Sequence, residues 1–313
     1  MYFGKYQFLC RLTNEARLPY FKGSTFRGVF GRALKNVVCA LKTLECSECL
    51  LKKRCLYFLV FEIPLSAGTP EDPRIATPPH PFVIEPLLDT RTHFPKGAAF
   101  DFHLILFGEA NRNLPYFIYA FEQMGRIGIG MKLNGKRGHF TLEEVRVGGQ
   151  PIYSCVDQKL TLEDPFEAIL FQVPGDLSED CFRLTVRMIT PLRLKFENRL
   201  KAELPFHILV RAMLRRVSSL YNCFGEGEPA LDYRGLVNRA KDVQIIEDNL
   251  RWYDWERYSF RQDQAMLMGG LVGSVTYEGK IGEYMPLIDF CSRAHLGKQT
   301  SFGLGQIKWE KVG

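Results

Sequence analysis

The amino-acid sequence predicts an α+β protein built from two tandem ferredoxin-like (RRM-like, βαββαβ) domains with glycine-rich loops. Strand and helix patterns occur in the same order in the two halves. Each half also carries a basic, glycine-rich segment just before its last strand. The 313 residues suffice for two domains of ordinary size, and a hydrophobic content of 46% is that of a globular chain.

The first half, residues 1–150, opens with alternating residues at 2–12, which predict a strand with Phe8, Cys10 and Leu12 on one face. Ser24 or Thr25 is predicted to cap the helix that follows. A Cys-rich and Pro-rich insertion covers about 39–81. The remaining elements are predicted as strands at 82–88 and 100–107, a helix at 114–124 and a strand at 139–147.

The second half, residues 182–313, repeats this order after a predicted linker at 151–181. Its elements are predicted as a strand at 182–189, a helix at 204–221, strands at 249–260 and 266–277, a helix at 281–294 and a strand at 306–312. The helix 204–221 is amphipathic, with Leu209, Met213, Val217 and Leu220 facing inward.

The charge balance favours a polyanionic partner. Lys and Arg number 41 against 35 Asp and Glu, a formal net charge of +6. The charged N-terminus lacks the apolar core of a signal peptide, and no stretch reaches the roughly 18 apolar residues of a membrane span. We therefore expect a cytoplasmic protein with no membrane partner, in which the nine cysteines are not a disulfide framework.

The glycine-rich loop at 295–305 is the first candidate site. Glycines let a backbone approach phosphates closely, and this loop also carries His295, Lys298, Gln299, Thr300 and Ser301 as donors. The alternative is a tight turn that needs glycine for its geometry alone. Neither Gly128-Ile-Gly130 nor Gly303-Leu-Gly305 lies between a strand and a helix, as a nucleotide fingerprint requires, so no nucleotide cofactor is expected.

Four cysteines, Cys39, Cys46, Cys49 and Cys55, form a second candidate site. Four thiolates satisfy tetrahedral zinc, and two cysteines separated by two residues are a usual half-site. Such a site leaves no open position for water, so any zinc would be structural. The alternative is a set of unpaired thiols, with Cys39 buried on the helix.

Basic residues on the helix 204–221 form a third candidate site. Arg211 and Arg215 are one turn apart, and Arg193 and Lys195 lie just upstream, so a continuous positive track is possible. The alternative is an ordinary solvated surface. Residues 251–261 interleave aromatics with arginines and are suited either to base stacking or to core packing.

Four segments together resemble the Cas-six type of CRISPR pre-crRNA-processing endoribonuclease, within the RAMP superfamily. The segments are 18–28 (LPYFKGSTFRG), 128–140, 190–195 (TPLRLK) and 295–305 (HLGKQTSFGLG). The resemblance implies two ferredoxin-like domains and metal-independent cleavage of CRISPR repeat RNA into guide RNAs, with no catalytic cofactor. It also implies that the glycine-rich loop contacts RNA, and that subunits of a CRISPR effector complex are candidate partners.

Together these patterns predict an RNA-binding set. Its members are Arg27, Lys132, Lys136, Arg137, Arg193, Lys195, Arg211, Arg215, Gly297, Gln299, Thr300, Ser301, Gly303 and Gly305.

Cutting RNA without a metal requires a base for the 2′-hydroxyl, an acid for the leaving 5′-oxygen and a cation near the phosphate. The expected products are a 2′,3′-cyclic phosphate and a 5′-hydroxyl. Many members of the family carry a catalytic histidine on or beside the first helix, where this chain has none. His295 is therefore the first choice for base or acid, with Lys298 or Lys22 as the cation. His207 is the second choice, and Tyr20 is a further ionisable candidate.

The missing histidine leaves a second function open, a non-catalytic RNA-binding RAMP subunit of a CRISPR effector complex. The presence of all four segments in the same order favours the nuclease.

Overall fold

The computed structural model describes residues 1–42, 45–62, 78–161, 167–168, 181–194, 203–259 and 264–312, with the backbone alone at 167–168, 257–259 and 264–267. The chain divides into two compact units, residues 1–169 with 223–225 and residues 170–222 with 226–313. Among the described residues, none of the helices combines the length and apolar character needed to span a bilayer.

The first unit contains two helices and eleven strands in its described part. These are β1 (Tyr2–Leu12), β2 (Ala16–Arg17), α1 (Gly23–Val38), β3 (Phe82–Glu85), β4 (His93–Phe94), β5 (Ala99–Phe107), α2 (Leu114–Ile127), β6 (Ile129–Leu133), β7 (Lys136–Gly138), β8 (Phe140–Val147), β9 (Gln150–Ser154), β10 (Lys159–Leu160) and β11 (Glu167–Ala168).

The main sheet of the first unit has the order β10-β9-β8-β1-β5-β3, with β11 paired to β1. The antiparallel core β8-β1-β5-β3 and the helices α1 and α2 have the connectivity of a βαββαβ unit. Because β9, β10 and β11 belong to this unit, the described residues up to 168 of the predicted linker are part of the first unit.

Aromatic residues hold α1 and α2 against this sheet. Phe30 of α1 stacks on Phe121 of α2 with ring centroids 4.4 Å apart, and Phe8 of β1 stacks on Phe102 of β5 at 5.0 Å. All four rings are buried, and each contributes on the order of 1.5–3 kcal/mol to stability. Ser24 and Thr25 do not cap α1, contrary to the prediction, because the helix begins at Gly23 with Lys22 as its N-cap.

The second unit contains three helices and five strands in its described part. These are β12 (Cys181–Leu192), α3 (Phe206–Phe224), α4 (Tyr233–Arg239), β13 (Gln244–Asp248), β14 (Arg251–Ser259), β15 (Gln264–Lys280), α5 (Met285–Ala294) and β16 (Ile307–Val312).

The sheet of the second unit has the order β13-β15-β12-β16, and β14 pairs with the outer part of the long strand β15. This is again the βαββαβ order, so the predicted fold class is confirmed in both units. The inward face of α3 is also as predicted, with Leu209, Met213, Val217 and Leu220 fully buried. The helix α4 was not predicted from the sequence.

Candidate nucleic-acid interface

The first glycine-rich segment is not a loop but a hairpin, β6–β7, which joins β2 and β4 in a small separate sheet of order β4-β2-β6-β7. A Cβ at Gly138 would lie 2.3 Å from the Cβ of Ala16, and one at Gly130 would lie 2.2 Å from the carbonyl oxygen of Arg17. These two glycines are therefore needed for the hairpin to approach β2.

Two cations of this hairpin are exposed. Lys132 and Lys136 both face solvent, where flexible ammonium groups can reach phosphates. Arg137 is half-buried, and its guanidinium donates to the carbonyl oxygen of Gly130. The side chains of Lys132 and Lys136 are therefore free to reach RNA from solvent, as predicted residues of the RNA-binding set. Arg137 instead stabilises the hairpin through its hydrogen bond to Gly130.

Lys22 lies inside the first unit and does not face a substrate. Its side chain is fully buried, and Nζ donates to the carbonyl oxygens of Tyr20, at 3.1 Å, and of Asp89. Burial lowers the pKa of Lys22, while Asp89 raises it. We therefore do not propose Lys22 as the cation of the reaction. Tyr20 is 59% exposed and remains accessible.

Arg27 of α1 is bound within its own unit. Its Nη2 lies 3.0 Å from Nε2 of His80, and its guanidinium stacks 5.1 Å from the ring centroid of Phe61. The Nδ1 atom of His80 in turn lies 2.9 Å from the carbonyl oxygen of Val60. These contacts position Arg27 and place His80 beside the first helix, which sequence reasoning did not foresee.

The four predicted zinc ligands are all free, half-buried thiols. Burial raises the pKa of Cys46, the nearby Lys35 lowers it, and Cys39 and Glu62 raise it. Within the described parts of the chain, no three His, Cys, Asp or Glu side chains are grouped as a metal ion would require. The side chains of Cys39, Cys46, Cys49 and Cys55 therefore do not fit a zinc ion in this structure.

His295 is the C-cap of α5 and is fully buried. Its Nδ1 lies 3.0 Å from the carbonyl oxygen of Leu304, inside the glycine-rich loop. A ring with no solvent exposure cannot reach an RNA hydroxyl, because general base catalysis requires hydrogen-bonding contact. The structure thus contradicts the choice of His295 as base or acid, and the residue instead connects the two ends of the loop.

Arg216 of α3 has a structural role at the same helix end. Its Nε donates to the carbonyl oxygen of His295 at 3.0 Å, and its Nη2 donates to that of Ala294 at 2.7 Å. Burial lowers its pKa to about 10, so it stays charged at neutral pH. A cation at a helix C-terminus satisfies the last carbonyls and opposes the negative end of the helix dipole.

The glycine-rich loop is packed rather than open. The amide of Leu296 donates to the carbonyl oxygen of Gly305 at 2.9 Å, and the amide of Gly305 donates to that of Pro191 at 3.1 Å. A Cβ at Gly305 would lie 1.7 Å from the Leu296 carbonyl oxygen.

Four predicted RNA contacts in this loop are buried, namely Thr300, Ser301, Gly303 and Gly305. For these four the turn interpretation fits better than the phosphate cradle, because their atoms face the protein.

The accessible part of the loop is its tip, residues 297–299, together with Arg193. Lys298 is exposed, and its amide donates to the carbonyl oxygen of Arg193 at 2.9 Å. Gln299 adopts a left-handed conformation with φ of 62°, and its Oε1 is buried without a hydrogen-bond partner among the described residues. Lys195 lies outside the described residues.

The basic helix α3 exposes Arg211 and Arg215, so their contact with RNA stays a prediction. Near its start, His207 is half-buried, and its pKa is lowered by burial and by the positive charges of Arg211 and Lys241. The ring is therefore neutral at neutral pH and has two cations close by, a combination suited to contact with a phosphodiester.

The aromatic segment 251–261 forms β14 in its described part. Tyr253 is 40% exposed and stacks on Trp255, with ring centroids 5.7 Å apart. The residue directly opposite Tyr253 in strand β15 is Gly270, which has no side chain. The rings of Tyr253 and Trp255 pack against each other, while the exposure of Tyr253 leaves base stacking as a prediction.

Sequence reasoning missed one further constellation. Strand pairing brings Glu15 and His93, 78 residues apart, to 2.5 Å between Oε1 and Nε2. The pairing of β2 with β4 also sets Arg17 opposite His93. A two-residue strand has no periodicity to read, so no local signal could have shown this pairing.

Each half of the chain matches a family model. Residues 1–165 match the model of the AF_1859 N-terminal domain family, and residues 186–307 match the model of the CRISPR-associated endoribonuclease Cas6. An uncharacterized protein of Archaeoglobus fulgidus is 24% identical over 294 residues, which cover 93% of this chain and 92% of that protein.

Solved structures show the same fold at low identity. A Cas6 product complex has a TM-score of 0.57 at 14% identity and covers 98% of this chain and 100% of that chain. Thermus thermophilus Cas6 has a TM-score of 0.52 at 13% identity, with coverages of 98% and 99%. These likenesses support the tandem ferredoxin-like architecture of the whole chain.

Proposed function

The chain belongs to the Cas6 type of CRISPR-associated proteins, and from this premise we propose that it binds CRISPR repeat RNA and cleaves it without a metal ion. The observation that carries the proposal is the Cas6 match at 186–307, because it contains the loop tip where Lys298 is exposed beside the backbone of Arg193. Subunits of a CRISPR effector complex are the proposed protein partners.

RNA binding is proposed to use exposed cations in each unit. In the first unit these are Lys132 and Lys136 on the β6–β7 hairpin. In the second unit, Lys298 lies at the loop tip, and Arg211 and Arg215 lie on α3. All five are lysines or arginines that reach solvent, as contacts to a phosphate backbone require.

Cleavage is proposed to proceed by transesterification. The 2′-oxygen attacks the adjacent phosphorus as the P–O5′ bond breaks, which yields a 2′,3′-cyclic phosphate and a 5′-hydroxyl. Of the two histidines predicted as catalytic, His207 keeps an accessible ring. The neighbouring Arg211 and Lys241 give this ring positively charged surroundings, which suit binding of a phosphate.

The test is to incubate the purified chain with its own repeat RNA in excess EDTA. We expect cleavage at a single site, abolished by a 2′-deoxy substitution at the nucleotide 5′ of the cut. Cleavage only after addition of a divalent metal would contradict the proposed mechanism.

A non-catalytic RNA-binding subunit is the second candidate function. Two observations favour it: His295 and Lys22, both chosen for catalysis, are buried. Tight binding of the repeat RNA with no product in the same experiment would select this function and reject the nuclease.

A further inference from the structure

The small sheet of the first unit places three exposed side chains in a row across three strands. Arg17 of β2 pairs with His93 of β4 on one side and with Met131 of β6 on the other. Residues directly opposite in antiparallel strands share a face, with Cβ atoms about 5 Å apart. Arg17 is exposed, the His93 side chain is 60% exposed, and Met131 is 62% exposed. The row therefore forms an open surface that a large ligand can reach.

The imidazole of His93 is oriented by a carboxylate. Its Nε2 lies 2.5 Å from Oε1 of Glu15, whose side chain is itself 52% exposed. Glu15 is the hydrogen-bond partner of this ring among the described residues. A carboxylate that accepts from one nitrogen fixes the tautomer, so the proton is on Nε2 and the lone pair is on Nδ1.

The pair of His93 and Glu15 places an anionic group next to the ring that would accept the proton. At His93, a proton taken up on Nδ1 gives an imidazolium that Glu15 stabilises. Arg17 lies beside it, with a guanidinium to neutralise charge on a phosphate.

We propose that His93 is the general base of RNA cleavage, with Glu15 as its positioning residue and Arg17 as the cation on the phosphate; the inference rests on the proposed function. The 2′-hydroxyl proton passes to Nδ1 of His93 as the 2′-O–P bond forms. The P–O5′ bond breaks, and the leaving 5′-oxygen takes a proton from water.

The row of Arg17, His93 and Met131 also indicates which form of RNA can react at this surface. In-line attack requires a nucleotide free to rotate its 2′-oxygen behind the leaving group, which a regular duplex does not allow. Met131 provides an exposed, polarisable thioether on the other side of Arg17, suited to the face of an unpaired base. The substrate at this surface is therefore single-stranded RNA at the scissile position.

The test compares four variants of the full chain on the repeat RNA, His93→Ala, Glu15→Gln, His103→Ala and His207→Ala. His93→Ala is expected to lower the cleavage rate by about 10²–10⁴-fold with little change in RNA affinity. Added imidazole is expected to restore part of that activity. Glu15→Gln is expected to cause a smaller loss. His103→Ala is the matched control, because His103 also lies near a carboxylate of the first unit, with Nδ1 3.6 Å from Oε2 of Glu85.

Each outcome decides the inference. Wild-type cleavage that persists in His93→Ala, or is lost in His207→Ala alone, overturns it and leaves the proposed nuclease intact. A wild-type chain that does not cleave overturns both. An inactive His93→Ala that imidazole does not rescue, and that binds RNA more weakly, indicates a binding role and also overturns the inference. An equal loss in His103→Ala would trace the effect to the stability of the first unit and would also overturn the inference.

Discussion

Replacement of Gly305 by alanine tests whether the glycine-rich loop needs this glycine for packing or for contact with phosphate. Gly305 has φ of +75°, and an added Cβ would lie 1.7 Å from the Leu296 carbonyl oxygen. The left-handed conformation costs about 1–2 kcal/mol for alanine. Relief of the clash also breaks the two hydrogen bonds that Gly305 makes with Leu296 and Pro191, about 1 kcal/mol each. The loss of unfolded-state entropy offsets about 0.4–1 kcal/mol, so we expect Gly305→Ala to lower the free energy of unfolding by about 2–3.5 kcal/mol.

Gly227→Ala is the matched control in the same unit. Its φ is +110°, but a Cβ there would meet no atom within 4 Å. Only the conformational cost remains, and a loss of unfolded-state entropy offsets about 0.4–1 kcal/mol of it. The conformational cost and this offset apply to both variants, so the expected gap between them is the loss of the two hydrogen bonds of Gly305, about 2 kcal/mol.

Urea denaturation followed by tryptophan fluorescence measures this gap. The three tryptophans, Trp252, Trp255 and Trp309, all lie in the second unit, so their signal reports on the unit that contains the loop. Equal midpoints for Gly305→Ala and Gly227→Ala would refute the packing argument. So would a Gly305→Ala variant that keeps full stability but loses RNA affinity, since that result would assign the glycine to the phosphate contact.

Three further predictions follow from the described geometry. Lys132→Ala and Lys136→Ala should each weaken RNA binding and reduce the slope of log affinity against log salt by about 0.7; an unchanged slope would remove the hairpin from the interface. Because the pKa of His207 is lowered from 6.5, the unfolded state binds more protons as pH falls below 6.5, so stability should fall there. Arg211→Ala should raise that pKa in an NMR titration and narrow the pH range over which stability is lost, whereas an unchanged pKa would show that burial and Lys241 set it. Elemental analysis of freshly purified protein should find neither zinc nor iron; one metal per chain would restore the predicted four-cysteine site.

The fold was predictable because its signals are local. The alternation in β1 placed Phe8, Cys10 and Leu12 inward, and all three are buried. The apolar face of α3 was readable for the same reason, since residues three and four apart share a helix face. The small sheet could not be predicted from the sequence. Its strands β2 and β4 have two residues each, too few to show a periodic pattern, and they pair with residues distant in the sequence.

The site was less predictable because residue type does not report exposure. His295, Lys298 and Lys22 all have side chains suited to phosphate chemistry, yet only Lys298 reaches solvent. Lys22 satisfies loop carbonyls, and His295 holds its loop closed. Buried polar groups must form hydrogen bonds within the protein, and a sequence does not show which polar side chains will be buried in this way.

The two glycine-rich segments also show that residue type alone does not reveal the role of a residue in the structure. They occupy equivalent places before the last strand of each βαββαβ motif, which suggested one shared role. In the first, Gly130 and Gly138 make room for β2, so that Arg17 is carried next to His93 on an open surface. In the second, Gly305 makes room for the Leu296 carbonyl, and the loop closes on itself. In both segments glycine serves close packing, and the chemistry depends on which neighbouring side chain that packing leaves exposed.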